Sequence, residues 1–253
     1  MENGTFNSLN RIGKIVIKVS KANDDLTQQV MKEMSSRSVK EYAKDINMVG
    51  ISTGKVYLNF KFFNRNIILQ EFIKGRTVQE ILSDNDISYD ERLEVYNNFL
   101  KIYSKLKNQN NLCLDWNMKN FIVSENEIYY IDFVPSLYKD KIEKSTSPNL
   151  SQYKESYLND KVQISGILGY AIMSFLKNES KETAIYIYLK LKQLSEVASG
   201  LGLDNNNFNH VYIYKLKKIE EYLYSDMTYQ ELLELINEYS MENISKVKGR
   251  IRD

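Results

Sequence analysis

The sequence predicts an α+β chain in two parts, a small β-rich N-terminal lobe and a mostly helical remainder. Three observations carry that expectation. β-Branched alternation fills the first seventy or so residues, helical periodicity with capping signals begins after Gly75, and one hairpin pattern interrupts the helices within residues 112–138. A length of 253 residues fits one to two domains, or one larger fold with two lobes. The 43% hydrophobic and 26% charged content is that of a globular chain and excludes disordered and fibrous classes.

Residues 14–19, KIVIKV, alternate β-branched residues with lysine as a half-exposed strand does. Asp24 or Asp25 then caps a helix expected to run to about Ile46, with Leu26, Val30, Met34 and Val39 at helical spacing. Gly50 and Gly54 punctuate the next stretch. Residues 55–62 (KVYLNFKF) and 67–72 (IILQEF), joined by a turn at 64–66, read as a hairpin, so a small sheet with one helix results.

Beyond Gly75, Thr77 with Glu80, Ser88 with Glu91 and Thr228 with Glu231 form capping boxes that mark helix starts. The helix from Ser88 sets Leu93, Tyr96, Phe99 or Leu100, Tyr103 and Leu106 on one face, so it docks on a core. Residues 121–123 and 128–131 flank the turn SENE as a hairpin. Helices are expected again over 160–176, 181–198, 209–224 and 228–239. The Tyr186/Tyr188 pair looks strand-like, but Ile187, Leu191, Leu194 and Ala198 around it fit a helix. In VQISGILGYAIMSFL, residues 162–176, Gly166 and Gly169 are placed to let a neighbour close. This stretch is short of the ~20 residues that span a bilayer.

Thirty-four basic against thirty-three acidic residues give a net charge of +1, which excludes a protein that coats nucleic acid or an anionic membrane. The single cysteine, Cys113, forms no internal disulfide and no thiolate metal cluster, as suits a reducing compartment. The opening MENGTFNSLNRIG has no signal-peptide pattern, so a cytoplasmic location is predicted, with no nucleic-acid or membrane partner.

Chemistry concentrates in residues 112–137, LCLDWNMKNFIVSENEIYYIDFVPSL. Asp115 and Asn120 lie five apart in an irregular loop, and a hairpin comes next whose second strand ends at Asp132. Such a segment can point three oxygen-bearing side chains into one cleft. These oxygens suit a hard cation such as Mg²⁺, which takes few protein ligands beside phosphate and water. Alone, D-x-x-x-x-N also describes loop residues bonding their own backbone. The order of features adds more: Lys18 in an apolar strand, a helix with glutamates, IILQEFIKGRTVQEIL, a long helix, then Asp115, Asn120, the hairpin and Asp132.

In that order, over roughly residues 12–137, the sequence resembles the protein-kinase-like superfamily, and within it the aminoglycoside phosphotransferase and choline kinase branch of small-molecule kinases. The resemblance implies a two-lobed kinase-like domain, with residues 1–72 as the nucleotide-binding lobe and 73–253 as a helical lobe carrying the catalytic loop and acceptor site. It implies ATP or GTP and Mg²⁺ as cofactors, and transfer of the γ-phosphoryl group to a hydroxyl of a small molecule such as an antibiotic, sugar or amino alcohol. Asp115 takes the position of the catalytic aspartate, with Asn120 and Asp132 as the metal ligands. Lys18 takes that of the lysine on the α- and β-phosphates, paired with Glu33 or its rival Glu41. Gln70, Glu71 and Phe72 take that of the segment whose backbone bonds adenine, while Ile17 and nearby aliphatics sandwich the ring.

Departures from the family pattern are visible in the same residues. No G-x-G-x-x-G precedes Lys18; Gly4 and Gly13 are the only glycines there, Met1 leaves little room for a full first strand, and GTFNS offers a shortened phosphate-covering turn. Cys113 replaces the usual histidine two before the aspartate and is expected to pack there. Phe133, Val134 and Pro135 come after Asp132, and no A-P-E signature appears, which favours a small acceptor over a protein. Two other readings remain: a catalytically inactive nucleotide-binding or regulatory module, and transfer of another part of the nucleotide such as AMP. The acidic run Glu231, Glu234, Glu238 and Glu242 fits either a cationic substrate or the solvated face of a helix.

Overall fold

The computed structural model describes residues 7–20, 38–62, 65–109, 111–145, 151–176, 179–203 and 210–250. Alternating β-branched residues build a first, four-stranded sheet in the N-terminal region. Its strands are β1 (Asn7–Ile12), β2 (Ile15–Ser20), β4 (Val56–Phe62) and β5 (Arg65–Glu71), in the order β1-β2-β5-β4 and antiparallel throughout. The first of them corrects the expectation that little room is left for a full first strand; residues 4–6 of the expected GTFNS turn lie outside the described residues. Asn7 and Ser8 open a full strand, in register with Ser20 and Val19. Its residues offer backbone partners all along β2, which the weak alternation of NSLNRI does not advertise.

Strand alternation sorts this sheet into two unlike faces. Val16 and Lys18 on β2 stand opposite Gln70 and Ile68 on β5, and all four are buried, with Val56 beside them on β4. On the reverse face Ile15, Leu58, Phe60 and Phe62 are exposed.

A helix, α1 (Val39–Met48), packs on β4 through a buried stripe of Val39, Tyr42, Ala43 and Ile46. The helix expected to run on from Asp24 or Asp25 to about Ile46 does not pass through Ser38, whose backbone is extended (φ −63°, ψ 148°). Its hydroxyl accepts from Glu41 N at 3.2 Å, while the Glu41 carboxylate accepts from Ser38 N at 3.1 Å. This S-x-x-E box satisfies the first free N–H groups and starts α1. Residues 24–37 of that expectation lie outside the described residues.

A second four-stranded sheet is stitched from distant pieces. Its centre is the predicted hairpin, β7 (Phe121–Ser124) with β8 (Glu127–Tyr130). Two-residue strands flank it: β3 (Ser52–Thr53) runs parallel to β8, and β6 (Arg76–Thr77) runs antiparallel to β7. Gly75 lets β6 approach, because a Cβ there would stand 2.1 Å from the Val123 carbonyl oxygen.

The remainder is mostly helical: α2 (Val78–Leu82), α3 (Tyr89–Lys107), α4 (Lys139–Lys144), α5 (Ser151–Leu158), α6 (Asp160–Leu176), α7 (Lys181–Ser199), α8 (Val211–Leu223) and α9 (Tyr229–Arg250). Capping boxes close reciprocally at Thr77/Glu80 and Thr228/Glu231, while Ser88 accepts from Glu91 N. Buried on most sides, α6 is the centre of the core, with α7 and α8 packed on it. Gly166 admits Tyr212, whose ring would lie 2.8 Å from an added Cβ; Gly169 instead meets nothing within 4 Å, so only the first glycine makes the close approach expected of both. Among the described residues no helix is long and apolar enough to cross a membrane.

Candidate active site

Lys18 leaves β2 on the inner face and reaches the end of the β7–β8 hairpin. Its Nζ donates to the Ile131 carbonyl at 2.5 Å and lies 3.6 Å from Asp132 Oδ1. The residue is 5% exposed, so burial lowers its pKa, and the charge of Asp132 opposes that shift. The ion pair joins the first sheet to the segment leaving the second. Ile17 alternates to the opposite face, so the aliphatic beside Lys18 on the inner face is Val16, one residue from the position expected.

The loop that carries Asp115 is anchored where it begins. Leu112 bridges Tyr138, Cys113 N donates to the Leu137 carbonyl at 3.1 Å, and the Tyr42 hydroxyl of α1 donates to the Cys113 carbonyl. Tyr138 is held in turn by Asp45 of α1, its hydroxyl donating to Oδ2 at 2.6 Å. Cys113 is buried and its Sγ donates weakly to the Tyr157 carbonyl at 3.5 Å; burial pushes its thiol up to about 12. It packs and stays protonated.

Within the loop, Asp115 Oδ1 accepts from Asn117 N at 3.1 Å, and Asp115 N donates to the Tyr130 hydroxyl at 3.4 Å. Asn117 caps the 3-10 turn Met118–Asn120, with its Oδ1 accepting from Lys119 N at 3.1 Å. Asn120 then turns back, Nδ2 donating to the Asp115 carbonyl at 3.5 Å, while its own carbonyl accepts Ile131 N at 3.0 Å. The spacing of five between Asp115 and Asn120 is thus one Asx turn plus one 3-10 turn. Burial, reinforced by the charge of Asp132, raises the Asp115 carboxyl to about 6, against the pull of hydrogen bonds from Asn117 and Asn120. A carboxylate poised there can exchange a proton near neutral pH.

Beneath this loop sits an aromatic block that the sequence presents as plain core. Trp116 stacks on Phe121 with centroids 5.8 Å apart, Phe99 meets both edge-on, and Tyr130 bridges Phe121 to Phe133. Trp116 Nε1 donates to Gln163 Oε1 of α6 at 3.0 Å, which ties the loop to the central helix. Two turns further along α6, Tyr170 has its phenol pushed up by burial and by the charge of Asp115. Tyr212 lies edge-on to it at 5.9 Å, and Lys215 Nζ stands 5.7 Å from its ring centroid. Sequence alone does not single these residues out, because an aromatic at helical spacing carries no signal beyond burial.

The segment expected to meet a base divides in three. Gln70 points inward, 2% exposed, with Nε2 donating to the Ile131 carbonyl at 3.3 Å and Oε1 without a hydrogen-bond partner. Glu71 N donates to the Lys55 carbonyl and Phe72 N to the Lys14 carbonyl, both at 2.8 Å. The two backbone donors offered to adenine at Glu71 and Phe72 are therefore spent within the first sheet, because β5 continues to its end before the chain leaves it. The Phe72 ring lies under Arg11, 3.6 Å from the guanidinium carbon.

Glu33 lies outside the described residues. Glu41, its rival as the partner of Lys18, folds back on Ser38 in the α1 capping box, and the carboxylate beside Lys18 is that of Asp132. Among the described residues no three His, Cys, Asp or Glu side chains gather as a metal-ligating group. The donor set on offer is Asp132 with the amide of Asn120, two oxygen donors of the kind Mg²⁺ accepts beside phosphate. An open hollow of about 390 Å³ lies elsewhere, between α1 and residues 53–56, and holds none of these groups.

Other sequence candidates resolve as structure. Glu231 caps α9 and Glu234 accepts from Gln230 Nε2 at 3.0 Å, both exposed, as on a solvated helix face; the Glu242 side chain is not among those described. The chain's one histidine, His210, is a helix cap as well: it starts α8, with Nδ1 accepting from Tyr212 N at 3.1 Å. Neither a family model nor a curated protein matches this chain.

Proposed function

We propose that the chain is a two-lobed, protein-kinase-like phosphotransferase that moves the γ-phosphoryl group of ATP to a hydroxyl of a small molecule. The observation that carries this reading is the meeting of Lys18, from the first sheet, with Asp132, just past the end of the second, next to a half-buried Asp115 whose carboxyl is raised to about 6. Phosphoryl transfer asks mainly for positioning and charge neutralisation. Lys18 would turn from the Ile131 carbonyl to the phosphates. Asp132 and Asn120 are the residues that would hold Mg²⁺, which supplies charge neutralisation when bound. Asp115 would orient the acceptor hydroxyl and take its proton, a role its raised carboxyl suits.

The path of the chain after Asp132 favours a small acceptor. Phe133, Val134, Ser136, Leu137 and Tyr138 are buried, and the chain returns at once to pair with Leu112 and Cys113 before entering α4. Among the described residues that path offers no extended platform for a peptide. In this reading the nucleotide lobe ends at Phe72 and the acceptor lobe begins there.

The test is a thermal-shift titration with ATP and GTP, with and without Mg²⁺, on the wild type and Asp132→Ala. A Mg²⁺-dependent rise in Tm that the variant loses supports the nucleotide site, and hydroxyl acceptors are then screened by mass spectrometry of the products. No shift with either nucleotide sinks the reading and leaves a module that neither binds nucleotide nor transfers phosphate.

A further inference from the structure

Gln70 is the one polar residue of the inner sheet face whose hydrogen bonding is incomplete among the described residues. Its amide is not free to flip, because the Ile131 carbonyl only accepts and therefore fixes Nε2 toward itself. Oε1 is left as the buried atom without a partner. In the ligand-free protein the same carbonyl also receives Lys18, and Gln70 keeps it satisfied when Lys18 turns to the phosphates. A buried acceptor kept unpaired is costly, and a bound group that donates to it recovers that cost.

Its place in the sheet says what such a group is. Gln70 stands opposite Val16 and on the same face as Lys18, at the last inward position of β5 before the chain crosses to β6. Resting on the proposed nucleotide site, we infer that Gln70 selects the base: its Oε1 accepts from the exocyclic amine of adenine and opposes the 6-oxo group of guanine or hypoxanthine. The selection is electrostatic as well as steric. An oxo group brought against Oε1 sets two acceptors face to face, whereas an amine completes the only missing bond. A site built around a hydrogen bond rejects the analogue lacking it more strongly than an apolar pocket rejects a change of size.

The experiment measures binding of ATP and of inosine triphosphate, which carries oxo for amine at that position and a hydrogen on the adjoining ring nitrogen, to the wild type and Gln70→Met in the presence of Mg²⁺. Methionine keeps the length of the side chain and removes the acceptor; Lys18 still satisfies the Ile131 carbonyl in the ligand-free protein, and the loss of the Gln70 donor in the bound state weighs on both nucleotides alike, so the ratio of their affinities reads Oε1. Expected is a preference for ATP of about tenfold or more in the wild type that falls at least fivefold in the variant, with the Tm of the ligand-free variant equal to or above that of the wild type. Equal wild-type affinity for the two nucleotides overturns the inference without any variant. So does a preference that Gln70→Met leaves unchanged, and in both cases the nucleotide site itself stands. Failure of the wild type to bind either nucleotide brings down the proposed function and this inference together. Should Gln70→Met not fold, Gln70→Leu is read by the same two ratios.

Discussion

The two sheets have the same number of strands and opposite constructions. The first is assembled from two hairpins with six- and seven-residue strands, and its partners are mostly neighbours in the chain. The second has one local hairpin and borrows its edges, two residues each, from the end of α1 and from the start of α2. Long strands give Lys18 and Gln70 a fixed inward direction. Short edges weld the hairpin before Asp132 to both neighbouring parts of the chain. The site forms where the first sheet's lysine meets the second sheet's exit, at the Ile131 carbonyl. A rigid platform and a stitched clamp together achieve what neither sheet does alone.

Three substitutions, one of them read in two ways, test that division, beginning with the largest expected effect. Asp115→Asn should cut phosphoryl transfer by about a thousandfold, roughly 4 kcal/mol of barrier, while leaving ATP affinity within a few-fold. Single-turnover rates beside binding curves check it, and undiminished turnover would remove Asp115 from the chemistry.

Next comes the clamp. Gly75→Ala drives a Cβ into the Val123 carbonyl, so β6 must separate from β7. A loss of about 2–3 kcal/mol is expected in urea unfolding. If the clamp aligns the site, the residual folded protein also binds nucleotide more weakly; loss of stability alone would make the edge strand merely structural.

A smaller effect runs the opposite way. Because burial raises Asp115 above its unfolded value of 3.8 to about 6, its ionised form opposes folding above that range. The ligand-free Asp115→Asn variant should be more stable than wild type by about 2 kcal/mol at pH 7.5, with the gap closing as pH falls from about 6 toward 4. A gap independent of pH would place the gain elsewhere. The same carboxyl predicts that transfer declines as pH drops through about 6.

The smallest is a control on α1. Ser38→Ala removes one half of its capping box and should cost about 1 kcal/mol without altering the nucleotide preference. Thermal melts alongside ATP titration read both quantities.

How much of the fold and site is legible in the sequence tracks the same contrast between sheets. Residues 14–19 and 55–72 announce β2, β4 and β5 because alternation over several residues is a strong signal. Asp115, Asn120 and Asp132 stand out through their spacing, and the loop brings the first two together as that spacing implies. The contribution of two-residue strands is invisible to periodicity, so β3 and β6 cannot be read, and β1 is hidden by polar residues. Ser38 is passed over because an expected run of apolar residues from Leu26 to Val39 outweighs a local S-x-x-E box. Ile17 is misassigned by one position, which in a strand is a whole face. Gln70 stands out in the sequence for its backbone, while the burial of its side chain on the inner face depends on which way β5 turns its residues.

The anchored loop has a practical corollary in Cys113. It is the only thiol in the chain, it is 3% exposed, and burial keeps it protonated. Alkylation therefore proceeds only from molecules in which the strand of chain before Asp115 has come away from Leu137 and Tyr42. The rate of labelling is a clock for the opening of that loop, running without any engineered tag, and ligands that close the loop will slow it in proportion to their occupancy.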